Sequence, residues 1–177
     1  MITTVVFTVF GADRPGLVEA VSGCVTAHGG NWLESRLLHL GGHFAGIVRA
    51  EIDDVRQTEL LAALRGLERH GLHVVVHHSG EHDVARAAPA SGATAHLEVM
   101  GHDRPGIVRE ISSALAARSV NVEELATERV SAPMTGDPMF VARAKVQLPS
   151  GLEAGTLRGA LEKIAADLMV ELTFSEK

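Results

Sequence analysis

The sequence predicts an α+β protein made of two tandem βαββαβ modules, each a four-stranded antiparallel sheet with two helices on one face. Three observations predict this fold class. An eight-residue loop occurs twice, the same order of strand and helix patterns surrounds each copy, and a segment without hydrophobic periodicity separates the two. Self-similarity of this kind indicates the duplication of one structural unit.

The repeated loop reads GADRPGLV over residues 11–18 and GHDRPGIV over residues 101–108, an offset of 90 residues (101 minus 11). The same offset relates two pairs of polar residues further along the chain: Asn31 to Asn121, and Glu34 to Glu124. A shared loop followed at constant spacing by the same Asn is not expected in unrelated segments.

The segment between the copies, residues 80–93, reads GEHDVARAAPASGA. It is rich in Ala, Gly, Pro and Ser and has no hydrophobic period, which is typical of a linker. We therefore expect one module over residues 1–79, a linker over residues 80–93 and a second module over residues 94–177.

The first module begins with the alternation of a strand, at Val5, Phe7 and Val9. A helix follows the loop and ends at Gly29-Gly30; its apolar positions are Leu17, Val18, Val21 and Val25. Two strand-like runs, residues 32–40 and 44–52, flank a hairpin signal at Gly41-Gly42-His43. The apolar positions of a second helix, closed by Gly71, and of a last strand are Leu60, Leu61, Leu64 and Leu67, then Leu72, Val74 and Val76.

The second module repeats this order of elements. A strand and a helix are indicated by Leu97 and Val99, then by Ile107, Ile111 and Leu115. Two strands are expected over residues 122–130 and 139–148. The last helix and the last strand are indicated by Leu157, Leu161 and Ile164, then by Leu168, Val170 and Leu172.

Composition excludes several classes of function. Sixteen Lys and Arg residues against 22 Asp and Glu give a net charge of -6, which argues against tight binding of nucleic acid by the chain alone. No apolar run approaches the roughly 20 residues of a membrane-spanning helix, and the apolar residues 1–10 lack a basic leader. We therefore expect a protein that does not bind membranes. The single Cys24 cannot form an intramolecular disulfide, so we also expect a cytoplasmic location.

The loop, the helix that it opens and the Asn beyond that helix resemble the ACT domain family, whose modules have a ferredoxin-like fold. The chain is also similar to the glycine cleavage system transcriptional repressor family in GADRPG at residues 11–16, Asn31, Ser35-Arg36-Leu37 and Leu40-Gly41. An insertion in the second hairpin, residues 131–138, fits that family as well. Trp32 departs from the pattern, which usually has an aliphatic residue at this position.

The resemblance implies a ligand-responsive regulator that has no catalytic activity and no cofactor. ACT modules pair their sheets edge to edge and bind an amino acid, here expected to be glycine or similar, where two modules meet. The resemblance further implies a homodimer that acts through a transcription factor or another protein partner and does not bind DNA itself. The ligand-binding residues implied in the two copies are Gly11, Asp13, Arg14, Gly16, Leu17 and Asn31, and Gly101, Asp103, Arg104, Gly106, Ile107 and Asn121.

The loop residues also have a purely structural interpretation. Asp13 can cap the helix by accepting a hydrogen bond from the amide of Gly16, with Pro15 in the first helical turn. Gly16 lets the backbone approach a ligand or a neighbouring strand without a Cβ in the way. Free amides at a helix start attract a carboxylate, so the same loop can hold a ligand.

Asn31 and Asn121 have two interpretations as well. Asn tolerates the left-handed conformation that ends helices, so either residue can be a C-terminal cap. As a ligand residue, its amide offers both a donor and an acceptor, which suits an α-amino acid. Arg14 and Arg104 can clamp a carboxylate, although exposed arginines beside turns are more often solvated or salt-bridged.

Two other functions compete with ligand sensing. The loops can serve only as helix starts in an assembly module whose sheet edges mediate dimerisation. A small metal-assisted enzyme would use His77, His78 and His82, but metal sites need convergent ligands and supporting partners, which this part of the sequence does not supply. No G-x-S-x-G, H-E-x-x-H, P-loop or dinucleotide motif occurs, so we expect neither catalysis nor a bound metal.

Overall fold

The structure is a computed structural model that describes residues 1–77, 92–132 and 135–176. The chain divides into two compact units, Met1–Ala87 and Ala88–Lys177. Most of the expected linker, residues 80–91, lies outside the described residues. The module boundaries at residues 79 and 94 therefore stay a prediction.

The first unit has the expected βαββαβ order. Its elements are β1 (Ile2–Ala12), α1 (Leu17–Ala27), β2 (Asn31–Leu40), β3 (His43–Asp53), α2 (Asp54–Gly66) with a 3-10 turn (Leu67–His70), and β4 (Leu72–His77). The sheet order is β2-β3-β1-β4 and every neighbouring pair is antiparallel. The outer strands β2 and β4 leave the two edges of this sheet.

The second unit repeats the arrangement. Its elements are β5 (Thr94–His102), α3 (Ile107–Ala116), β6 (Asn121–Ser131), β7 (Pro138–Gln147), α4 (Ala154–Leu168) and β8 (Val170–Glu176). The sheet order β6-β7-β5-β8 is again antiparallel throughout. The α+β fold of two ferredoxin-like modules is confirmed. One detail of the prediction is wrong, because Leu168 ends the helix α4 and does not belong to the last strand.

Each unit has its own apolar core between the sheet and its helices. In the first unit, alternate residues of β1 are buried together with the inner face of α1, and this cluster includes Val5, Phe7, Val9, Leu17, Val21 and Val25. Successive side chains of a strand point to opposite faces, so burial of every second residue places the helices on one face. The core of the second unit follows the same plan, with Leu97, Val99, Ile107, Ile111 and Leu115.

The outer strand that follows the first helix of each unit, β2 or β6, carries a β-bulge at the same place. The pairing register shifts between Trp32 and Glu34 in β2, and between Val122 and Glu124 in β6. A bulge re-aims the side chains beyond it. Trp32 and Val122 are equivalent and lie on the helix face of their sheets, so the two modules differ in side-chain size at this place.

Among the described residues, no helix is both long enough and apolar enough to cross a membrane.

Candidate functional site

The two repeated loops have the same geometry, and it differs from the helix-capping pattern expected for them. Helix α1 begins at Leu17, and the residue before it, Gly16, is its N-cap, with a φ of 91°. Gly106 precedes α3 in the same left-handed conformation, with a φ of 98°. No side chain caps either helix start. The prediction that Asp13 caps the helix through the Gly16 amide, with Pro15 in the first turn, is therefore wrong.

The two glycines of each loop are favoured at their positions for different structural reasons. A Cβ added to Gly16 or Gly106 would meet no heavy atom within 4 Å, so no neighbouring strand approaches there and the positive φ alone favours glycine. Gly11 lies in β1, where a Cβ would overlap the carbonyl oxygen of Gly71. A Cβ added to Gly101 would instead overlap the side chain of Val170. Gly11 thus permits close approach of a neighbouring backbone, and Gly101 close packing of a neighbouring side chain.

Asp13 belongs to a small polar network that ties its loop to the β2–β3 hairpin. Its carboxylate contacts Nδ1 of His39 at 3.0 Å. The amide of Gly42 donates to Nε2 of the same ring at 3.2 Å, so Nδ1 is the nitrogen that carries the proton donated to Asp13. The backbone N–H of Asp13 donates to the Gly42 carbonyl at 2.9 Å. Three contacts therefore fix this end of the loop.

Asp103 is held at the equivalent place by an arginine. Nε of Arg129 lies 3.2 Å from the Asp103 carboxylate, and the backbone N–H of Asp103 donates to the carbonyl of Pro138 at 3.1 Å. His39 and Arg129 are related by the same offset of 90 residues (129 minus 39). Each loop aspartate is thus bound by the strand that follows the helix, through a His in one module and an Arg in the other.

The two loop arginines have different surroundings. The guanidinium of Arg14 donates to the backbone carbonyl of His70. For Arg104 the described part of the chain offers no hydrogen bond or ion pair, and the side chain is exposed. Arg104 is therefore more available to an incoming anion than Arg14.

Asn31 and Asn121 are not helix caps, so that interpretation is wrong. Helix α1 ends at Ala27 with Gly29 left-handed at a φ of 73°, and Asn31 is the first residue of β2. Its side-chain amide donates to Oε1 of Glu51, the residue opposite it on β3, at 2.9 Å. Asn121 begins β6 opposite Gln147. Both asparagines are exposed at the start of a strand that forms a sheet edge.

Residues on and around each loop line a shallow surface groove. Groove 1 is lined by residues 13–19 and Phe44, and groove 2 by Asp103, Arg104, residues 106–109, Ser112 and Phe140. Leu17 and Ile107 are only 4% and 2% exposed, so they contribute the floor and belong mainly to the core. Of the predicted ligand residues, Asp13, Arg14, Gly16 and Leu17 line groove 1, and Asp103, Arg104, Gly106 and Ile107 line groove 2. Gly11, Gly101 and the two asparagines do not line the grooves.

Sequence reasoning missed Phe44 and Phe140, which line equivalent positions of the two grooves. The hairpin insertion shifts the offset from 90 to 96 residues beyond it (140 minus 44), so the pair is not visible at the offset of the loops. It also missed His39 and Arg129, which both donate to the loop aspartate of their module. The constant offset of 90 residues between these two donors was the available signal.

Only one residue of the histidine cluster lies among the described residues, so the cluster as a whole is not tested. His77 lies at the end of β4, where its Nε2 contacts the hydroxyl of Thr8 at 2.7 Å. His78 and His82 lie outside the described residues. Across residues 1–77, 92–132 and 135–176, no group of three His, Cys, Asp or Glu side chains could hold a metal ion. Cys24 is half-buried, and burial raises the pKa of its thiol, which keeps it neutral.

The fold and the repeated loops define a class of protein. Residues 3–77 match the ACT domain family. The second module repeats the topology, the left-handed Gly at the helix start and the bulge of the first. The first module therefore matches the ACT domain family, and the second module repeats its fold.

The chain is 25% identical over 165 residues to the glycine cleavage system transcriptional repressor of Escherichia coli strain K12, covering 92% of this chain and 84% of that one. The protein of the same name from Shigella flexneri matches to the same extent.

Two solved structures share the fold over the whole chain. An unknown protein from Galdieria sulphuraria has a TM-score of 0.81 at 27% identity, covering 100% of this chain and 99% of that one. A crystal structure assigned to a glycine cleavage system transcriptional repressor has a TM-score of 0.72 at 20% identity, covering 100% and 98%. The tandem arrangement of this chain is therefore also found in solved proteins.

Proposed function

We propose that this chain is a non-catalytic regulatory protein that binds an α-amino acid in the grooves beside its repeated loops and signals through a protein partner such as a transcription factor. The observation that carries the proposal is the recurrence of the same groove in both modules, each with an Asp and an Arg beside a helix start. The named role of the Escherichia coli relative as a transcriptional repressor supports the regulatory part.

The groove chemistry suits a zwitterion. An amino acid carries a carboxylate, which an arginine and the free amides of a helix start attract, and an ammonium group, which an aspartate attracts. In groove 2, Arg104 and Asp103 supply one group of each sign on the same short loop, and Asp103 also contacts Arg129. Groove 1 has the same residue types, but there both Arg14 and Asp13 have partners within the module.

Asn31 and Asn121 enter the proposal through assembly. Each begins the outer strand of its sheet, and the exposed backbone of an outer strand can pair with another strand. When edges pair, as in the ACT family, an Asn at the strand start lies where two modules meet. We therefore include the homodimer, and a ligand contact from Asn31 and Asn121 at its interface, in the proposed function, together with a cytoplasmic location.

Calorimetric titration of the full chain with the twenty amino acids tests this function, after a thermal screen selects the candidates. A bound ligand at 100 times its Kd stabilises the folded state by about 2.7 kcal/mol, which is readily detected as a rise in Tm. Arg104→Ala should weaken the selected amino acid, and Arg158→Ala, whose guanidinium contacts Glu162 on α4 far along the sequence, serves as the control. If no amino acid binds saturably, the ligand-sensing function is wrong.

The pure assembly module is the second candidate, because both charged residues of groove 1 are already bound within the protein. A chain that assembles only would bind no amino acid, and its oligomeric state would not respond to any of them. Light scattering with and without the twenty amino acids separates this candidate from the regulator.

A further inference from the structure

An apolar cavity of about 40 Å³ lies in the second module between α3 and the strands β5, β6 and β7. All of its lining side chains are aliphatic except that of Ser112. A cavity must offer roughly 10–15 Å³ to hold one water-sized sphere, so this one holds about three, and an apolar lining favours an apolar occupant over water. About three such spheres correspond to the end of a branched aliphatic side chain.

The cavity opens towards solvent at the edge of the sheet. Val122 and Leu125 of β6 and Val108 of α3 line it while remaining 38%, 52% and 41% exposed. All residues of β6 are exposed, whereas several inward-facing residues of β2 in the first module are half-buried. A small side chain can therefore enter between β6 and α3 without displacing a core residue.

The cavity and groove 2 are neighbours. Ile107, Val108 and Ser112 line both, so the polar loop of groove 2 begins where the apolar cavity ends. A single small molecule can place a charged end beside Asp103 and Arg104 and an aliphatic end in the cavity. An α-amino acid with an aliphatic side chain has this distribution of polar and apolar groups.

We propose that the second module binds an α-amino acid with a branched aliphatic side chain, such as valine, leucine or isoleucine, and holds that side chain in the cavity beneath β6. This inference rests on the proposed function, since it takes groove 2 as the site of the amino and carboxylate groups. It replaces the expectation of a glycine-like ligand for this module, because glycine would leave the apolar cavity empty.

The first module has larger side chains at the equivalent positions. Trp32 stands in place of Val122 and Phe7 in place of Leu97, each at the offset of 90 residues. Phe7 is fully buried and Trp32 packs against the same core cluster. The two aromatic rings fill space that the second module leaves open, so the first module does not accept a branched side chain at this place.

The test is calorimetric titration of the full chain with glycine, alanine, valine, leucine and isoleucine. The parent should bind the best branched ligand about tenfold or more tightly than alanine, since each added methylene in an apolar pocket contributes roughly tenfold or more. Val122→Trp, which introduces the residue of the first module, should abolish this preference and leave the binding of glycine unchanged. Leu125→Phe, a second substitution on the exposed rim of the cavity, should act in the same direction.

Val130→Trp is the matched control. It lies on the same strand as Val122, is 37% exposed against 38%, and does not line the cavity. Circular dichroism verifies that each variant is folded. If glycine or alanine binds as tightly as leucine, or if Val122→Trp and Leu125→Phe leave leucine binding unchanged, the cavity inference is wrong and the regulator proposal stands. If the parent binds none of the five and none of the other amino acids, both are wrong.

Discussion

Asp13 and Asp103 occupy the same position in the repeated loop, yet a histidine binds the first and an arginine binds the second. The sequence led us to expect a helix cap because Asp precedes Gly by three residues. A capping side chain belongs to the residue next to the helix, whereas Gly16 takes that place in a left-handed conformation. The aspartate is thereby freed to fasten the loop to the neighbouring strand.

Substitution of Gly16 measures the cost of the left-handed helix start. Gly16→Ala should lower the free energy of unfolding by about 1–2 kcal/mol, because an L-residue with a Cβ is disfavoured at positive φ. Gly23→Ala is the matched control, since it lies inside α1 with open space around an added Cβ, and it should stabilise the module by about 0.5–1 kcal/mol. Urea unfolding gives both values. Equal stability of Gly16→Ala and the parent would contradict a left-handed Gly16.

Replacement of the paired asparagines separates a ligand role from a structural one. Asn31→Ala and Asn121→Ala remove exposed amides, so the free energy of unfolding should change by no more than about 0.5 kcal/mol. Loss of a ligand hydrogen bond should lower amino-acid affinity by about 5- to 150-fold. Calorimetry on the folded variants decides. Unchanged affinity in both would remove these residues from the site.

At the scale of elements, hydrophobic periodicity predicted every strand and α-helix that the structure describes, because each module buries one face of its sheet and one face of each helix. The 3-10 turn at Leu67–His70 was not predicted, since Leu67 was assigned to the second helix. The site was harder to predict. Leu17 and Ile107 were expected to contact ligand, but their burial makes them mainly core residues. The cavity exists because Val122 stands where the first module has Trp32. No local sequence pattern shows that the space beside the smaller residue stays empty.

The outer strands predict a homodimer. β2, β4, β6 and β8 each have a strand on one side only within the described sheets, and such edges pair or are protected in most proteins. We expect a symmetric dimer, in which the same surface of both chains forms the interface. Light scattering at tens of micromolar should give about twice 18.7 kDa. A single species of 18.7 kDa under these conditions would contradict the dimer.

The charge of the whole molecule bears on the proposed function, which assigns the contact with DNA to a protein partner. The net charge is -6, and many of its cationic side chains lie beside carboxylates. The ion pairs among the described residues include Arg49–Glu34, Arg129–Asp103, Lys145–Glu123 and Arg158–Glu162, and Arg143 contacts both Glu98 and Glu128. Those two carboxylates also raise the pKa of the Arg143 guanidinium, so it stays charged and paired.

The last prediction is that the chain alone does not bind duplex DNA. Phosphate neutralisation by free Lys and Arg supplies most non-specific affinity, and here the paired arginines would have to exchange an acidic partner for a phosphate. A gel-shift assay with random duplex at physiological salt should show no retarded species. Under the proposed function, addition of a transcription factor partner should be required for any shift, and an amino acid that binds the chain should then alter the amount shifted. A salt-sensitive complex of sub-micromolar affinity with the chain alone would show that it contacts DNA directly and would contradict the proposed action through a protein partner.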